Sequence, residues 1–274
     1  GGAIILLLLS GCSFKLIYNQ LDWVVPWYLD DYVSINPEQS LLLDQRLGDY
    51  LYWHRREHLP DYAQFLDDLA TTAENGLTRD EIDQALTRLR FFVDELVSEL
   101  ARPVADLMLH LEQAQIEELY DNLDQRNQHY HERYVAPPEK QRRQKRSEGM
   151  IKFVARWVTE LDSQQKARIE RWSEQYHPLG DAFLESRKYW QSQLRKLLEQ
   201  RAKPDQIEVG LTRLLQQRSN LPDAEATKKY EQNVELLLQL YLDLDRSLTS
   251  YQRNQLIRNL RSYADDFREL AATG

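Results

Sequence analysis

His54-Arg55-Arg56-Glu57-His58 is the stretch of this 274-residue chain whose residue types and spacing come closest to a reactive centre. On a helix, residues four apart share a face, so His54 and His58 could hold one metal ion while Glu57 activated its bound water. Hydrolysis built on that spacing needs a third ligand from a downstream acidic motif and a larger mixed α/β scaffold. Neither occurs, so His54 and His58 stand as weak metal-ligand candidates whose ordinary role is an exposed, charged helix face. His129 and His131 form a second pair of the same kind, while His110 and His177 stand alone. No Ser/His/Asp set has a defensible spacing. Phosphate-cradling loops need clustered glycines, yet four of the 9 glycines are Gly1, Gly2, Gly11 and Gly274, near the ends. Neither an enzyme nor a cofactor is expected.

Cys12 is the only cysteine. Before it, residues Gly1 to Gly11 carry no charge, and Ala3 to Leu9 form an unbroken apolar run. That run is far shorter than the roughly 20 residues a spanning helix requires, and fits the apolar region of a secretion signal. With no initiator Met and no basic leader, the sequence reads as trimmed at its start. Leu9-Ser10-Gly11-Cys12 resembles the bacterial lipobox, in which small residues admit the peptidase and the thiol accepts diacylglycerol as a thioether. The resemblance implies a signal remnant over 1–11, a lipid-anchored N-terminus over 12–18 and attachment through Cys12. Ser13, standing where Asp would retain an inner-membrane lipoprotein, implies the outer membrane, with the body in the periplasm. Several acyl chains, palmitate among them, anchor stably because each buried CH₂ contributes about 0.8 kcal/mol.

The elements that must position these residues are helices. Leu occurs 45 times against 10 Ile and 11 Val, and Leu with Glu, Gln and Arg favours helix over strand. An apolar residue, Gln four positions on and another apolar residue four beyond recur at Ile35/Gln39/Leu43, Leu111/Gln115/Leu119, Leu161/Gln165/Ile169 and Leu248/Gln252/Leu256. The spacing puts each trio on one helical stripe. Asn36, Asp162 and Thr249 are capping residues for three of these helices, whereas Gln115 lacks such a cap and is expected in mid-helix. The Gln residues are the expected binding positions, at least in shaping the surface. Asp80–Leu89 also parallels Asp205–Leu214 at an offset of 125 residues, close to the 126 between Gln39 and Gln165. Gln115 and Gln252 lie 137 apart, which places an insertion near Ser219–Asp223. The expectation is an all-α, elongated bundle of some eight helices in two tandem halves, 19–136 and 148–274. A basic linker or helix start, 137–147, joins them. Pro60 should turn or kink its helix, and Pro103 kink rather than end one.

Leu248-Thr249-Ser250-Tyr251-Gln252-Arg253 resembles the LTxxQR signature of the Spy/CpxP group of periplasmic helical proteins. That resemblance implies ATP-independent chaperoning or envelope-stress and metal sensing, with this chain similar to two fused subunits. Cys12-Ser13, Tyr18-Asn19 with Leu21-Asp22-Trp23, and Trp27-Tyr28 with Asp30-Asp31-Tyr32 resemble an uncharacterised family of Gram-negative outer-membrane lipoproteins. It implies the location and carries no activity.

Tyr18, Trp23, Trp27, Tyr28 and Tyr32 crowd together just after Cys12, with no polar tether between. Packing of Trp23 and Trp27 into the first bundle is the favoured reading, contact with the membrane interface the alternative. Tyr50, Tyr52, Trp53, Trp157, Trp172, Tyr176, Tyr189 and Trp190 are expected to fill inter-helix layers, or else to line an aromatic groove for apolar segments, reported by Trp53 and Tyr251. A net charge of −9 disfavours nucleic acid, the run Lys140–Arg146 being the one basic exception. Together these residues predict a non-enzymatic protein, tied to the membrane through Cys12, that binds a protein partner or an unfolded client. A metal-responsive sensor and a structural spacer with one dedicated partner are the alternatives.

Overall fold

The computed structural model describes residues 11–199, 204–217 and 220–273; the run Ala3–Leu9, the lipobox positions Leu9 and Ser10, and Ser219 lie outside them. All of its regular structure is helical among the described residues: α1 (Gly11–Tyr18), α2 (Leu21–Asp30), α3 (Pro37–Trp53), a π-helical turn (His54–His58), α4 (Leu59–Ala73), α5 (Arg79–Leu109), α6 (Gln113–Tyr134), α7 (Glu139–Val158), α8 (Ser163–Gln175), α9 (Gly180–Glu199), α10 (Pro204–Gln216), α11 (Ala224–Ser247) and α12 (Ser250–Ala272). The protein is an all-α multi-helix bundle. Among the described residues, no helix is long and apolar enough to cross a membrane.

Helices outnumber the expected eight because α1 and α2 are short and a π-turn divides α3 from α4. Pro60 explains that turn. It offers no N–H to Arg56, the carbonyl four residues back, and its ring crowds it. The backbone widens instead, with Leu59 N donating to His54 O five residues back. Pro103 likewise sits inside the continuous α5.

The four Gln residues form the fold's clasps. Gln39, Gln165 and Gln252 occupy the third position of capping boxes closed by Asn36, Asp162 and Thr249. Gln115 departs from the mid-helix expectation: it is the third residue of α6, and its Oε1 accepts from Glu112 N at 2.9 Å. Its helix starts there because Glu112, extended at φ −78° and ψ 160°, takes the N-cap position. The amides then pair. Gln39 and Gln115 exchange two hydrogen bonds of 2.8 Å, and Gln165 and Gln252 exchange two of 3.0 Å. Each spare N–H reaches a carbonyl next to the partner's helix: Gln39 to His110, Gln115 to Ser34, Gln165 to Ser247 and Gln252 to Glu160. Two donors and two acceptor sites per amide are thereby filled. The expected binding positions have no hydrogen-bonding capacity left for a ligand.

Packing crosses the join at Pro137-Pro138 in a reciprocal way. Helix α4 packs along α12, and α9 packs along α6. Ile82 and Leu86 of α5 meet Leu238 and Leu242 of α11, while Ile207 and Leu211 of α10 meet Ala105 at the far end of α5. The basic run opens α7 and is structural: Glu139 pairs with Arg142, Arg143 and Arg146. Arg146 is half-buried, donates to Ser173 O at 3.0 Å and lies 4.2 Å from the Tyr176 ring centroid.

Candidate binding cleft

Helices α4, α5, α7, α11 and α12 leave a cleft of about 560 Å³ between them. Periodicity places its walls. From Ile82, α5 presents Leu86, Leu89, Val93 and Leu96 at spacings of three and four, one apolar stripe. Opposite stand Leu66 and Leu69 of α4, Phe153 and Trp157 of α7, Leu244 of α11, and Leu260 and Phe267 of α12. Leu89 is 44% exposed, so the cleft opens to solvent at that edge. The equivalent space at the other end of α5 is closed by Tyr120, Leu194, Leu198, Ile207 and Leu211.

Polar groups on the wall are few and mostly engaged. Asp245 is its charged member; its carboxylate accepts from Leu77 N and from Arg253 Nη1, both at 2.9 Å. Arg253 also donates to Ala73 O at 2.7 Å, so the last residue of the LTxxQR stretch ties the end of α4 to the α11–α12 turn. Gly76 (φ 86°) shapes the α4–α5 connection facing it, where a Cβ would stand 3.2 Å from Asp245 Oδ2. Tyr62 Oη is buried without a hydrogen-bond partner, and burial pushes its pKa up. A wall of this composition desolvates apolar groups and holds them by packing.

Beyond Tyr62, the cleft abuts the histidines of the π-turn. His58 is buried and His54 half-buried, so the exposed face expected for them is absent. The widened turn sends both rings inward, where they stack with centroids 5.8 Å apart. His54 Nδ1 shares a 2.7 Å hydrogen bond with Tyr18 Oη, and burial, with His58 and Arg55 nearby, lowers its pKa to about 4. No group of three or more His, Cys, Asp or Glu suited to a metal occurs among the described residues. His131 instead edges a smaller polar hollow of about 350 Å³ between α6 and α9.

Other sequence-derived positions fall elsewhere. Position 12 lies in the first turn of α1. Trp23 and Trp27 are 65% and 60% exposed, against the expected core packing, because α2 has no helix laid over its aromatic side and buries no residue. Tyr52 and Tyr189 are also exposed rather than filling layers. Trp53 packs on His58, and Tyr251 points to solvent, so neither reports the cleft. Of the cleft wall, Trp157 is read from the sequence as a layer or groove aromatic, while the aliphatic residues escape that reading. The available signal was the α5 stripe, which carries more apolar residues than one packed helix needs.

The chain belongs to a family of unknown function, DUF6279, which matches residues 31–227. No curated protein and no solved structure matches it.

Proposed function

From the lipobox resemblance of Leu9–Cys12 and from the cleft, we propose that this protein is an envelope lipoprotein that works by binding. Lipidated Cys12 holds it at the outer membrane with its body in the periplasm, and the cleft between α4, α5, α7, α11 and α12 takes apolar segments of a protein partner or unfolded client without ATP. The observation that carries the binding role is the cleft itself: an open, almost wholly apolar cavity with its one carboxylate already paired. An amphipathic helix or a side-chain cluster inserted there gains apolar burial while its own backbone stays satisfied. Tandem duplication belongs to the same reading. It is supported by the two like Gln pairs and by the matching stations of Ile82/Leu86 and Ile207/Leu211 in reciprocal contacts.

Light scattering from a thermally unfolding client, titrated with the full chain without ATP, tests the role. Suppression is expected near equal molar amounts. Leu89→Asp, at the open edge, should weaken it about tenfold, the effect of roughly 1.4 kcal/mol in binding, with circular dichroism unchanged. Suppression indifferent to Leu89→Asp would remove the cleft from the account. No suppression by a folded protein would end the chaperone-like role.

A further inference from the structure

A second apolar surface lies on α1 and α2. In α1 and α2, Leu16 is 67% exposed, Trp23 65%, Trp27 60% and Tyr28 44%. Trp23 and Trp27, four residues apart, stack in parallel with centroids 6.4 Å apart and planes 9° from each other. Two large indoles exposed side by side, with further apolar side chains exposed on the same short helices, mark a contact face. We propose that this face lies directly on a lipid bilayer, with the two indole rings at the level of the headgroups, so that the body is docked on the membrane in a fixed orientation rather than swinging from its anchor.

Three observations select a bilayer over another occupant. The first is continuity. Cys12 stands in the first turn of α1, four residues before Leu16, so an acyl chain attached to it enters the membrane at the edge of the patch. At 1.5 Å per residue, α1 and α2 keep the whole face within about 30 Å of that point. The second is rigidity. Helix α1 is fixed to the body by Lys15 with Asp266 (3.2 Å) and Glu269 (2.5 Å), and by the bond from Tyr18 to His54. Arg55 holds Asn19, between α1 and α2, at 3.0 Å. Helix α2 in turn contacts α3, so the face is carried on the body rather than on a free tether. The third is residue type. Trp and Tyr, with an apolar body and polar tip, suit the water–lipid boundary. The charges of α2, Asp22 and Asp30, are acidic, so the fitting surface is zwitterionic rather than anionic.

This inference rests on the anchoring part of the proposed function, and the test separates the two. The full chain is reconstituted with phosphatidylcholine vesicles whose acyl chains carry bromine near the headgroup. Flotation reports attachment, and quenching of tryptophan emission reports depth. Expected is a quenched component in the wild type that Trp23→Phe/Trp27→Phe loses while still floating. Both positions are exposed, so the variant should fold, which circular dichroism checks. Cys12→Ala should abolish flotation. Wild-type protein that floats unquenched would overturn the docked face and leave the anchor standing. Quenching retained in the double variant would overturn it too. Failure to float would overturn both. A dimer in sedimentation that the double variant dissolves, with no quenching, would assign the face to a second copy instead.

Discussion

At the residue scale, the paired glutamines show how one side-chain type can do three jobs at once. Each caps its own helix, clasps its partner and fixes a carbonyl just before the partner's helix. Gln165 is buried, so its removal strands its partner's amide as well as its own cap. A lost cap costs about 1 kcal/mol, and each buried polar group left unsatisfied about 1–3 kcal/mol. Gln165→Ala should therefore lower unfolding free energy in urea by roughly 2–4 kcal/mol. Gln165→Leu/Gln252→Leu, which removes both amides together, should cost less than the sum of the two single changes. Strictly additive costs would show that the pair is not a unit. The sequence carried this feature in part. Spacing alone placed Gln39, Gln165 and Gln252 at helix starts, but a Glu N-cap at position 112 lies outside the usual capping set, so Gln115 was misplaced in mid-helix. That amides at 39 and 115, or 165 and 252, meet face to face is a relation across 76 and 87 residues that no local pattern encodes.

At the element scale, the π-turn His54–His58 is the place where local chemistry overrode local pattern. Read as α-helix, the histidines sit on a charged exposed face. Pro60 forces the turn wider, and both rings rotate into the body. Around His54 stand Tyr18 from α1, Tyr50 from α3, Tyr62 from α4, and Arg55 and His58 within the turn. Burial holds His54 neutral in the folded protein, with its pKa lowered to about 4 against 6.5 unfolded. The unfolded chain thus binds a proton that the native one refuses. The stabilisation is complete above pH 6.5 and is lost as pH falls from there toward 4, up to about 3 kcal/mol across the full shift. The thermal midpoint should fall over that window, and more steeply than in His54→Gln, which cannot take up the proton but keeps an acceptor for Tyr18. Parallel pH profiles for the two proteins would remove His54 as the source. The α5 stripe is the complementary case: its periodicity was legible, yet the helices that leave it half-uncovered come from sequence-distant segments, so a surplus of Leu could not be recognised as a cleft wall.

At the scale of the whole molecule, the join at Pro137-Pro138 looks from composition like a boundary between two bodies, and the packing contradicts independence. Helix α4 lies on α12, α9 on α6, and α5 receives α11 near one end and α10 near the other. The hydrophobic clusters built from α5, α6, α9 and α10, and from α4 and α12, each draw residues from both sides of the join. Neither segment can bury its apolar stripes alone, so each lacks much of the burial that stabilises a domain, at roughly 25 cal/mol per Å². The Gln pairs work the other way, each closing within its own segment, which gives local order but not independent stability. Cleavage at a protease site inserted beside Pro137 should therefore leave a particle that elutes at the intact size and unfolds in one transition, with circular dichroism and tryptophan emission coincident. Fragments that part without denaturant and keep their helicity would mean that the interlocked contacts contribute little and that two self-sufficient units merely touch.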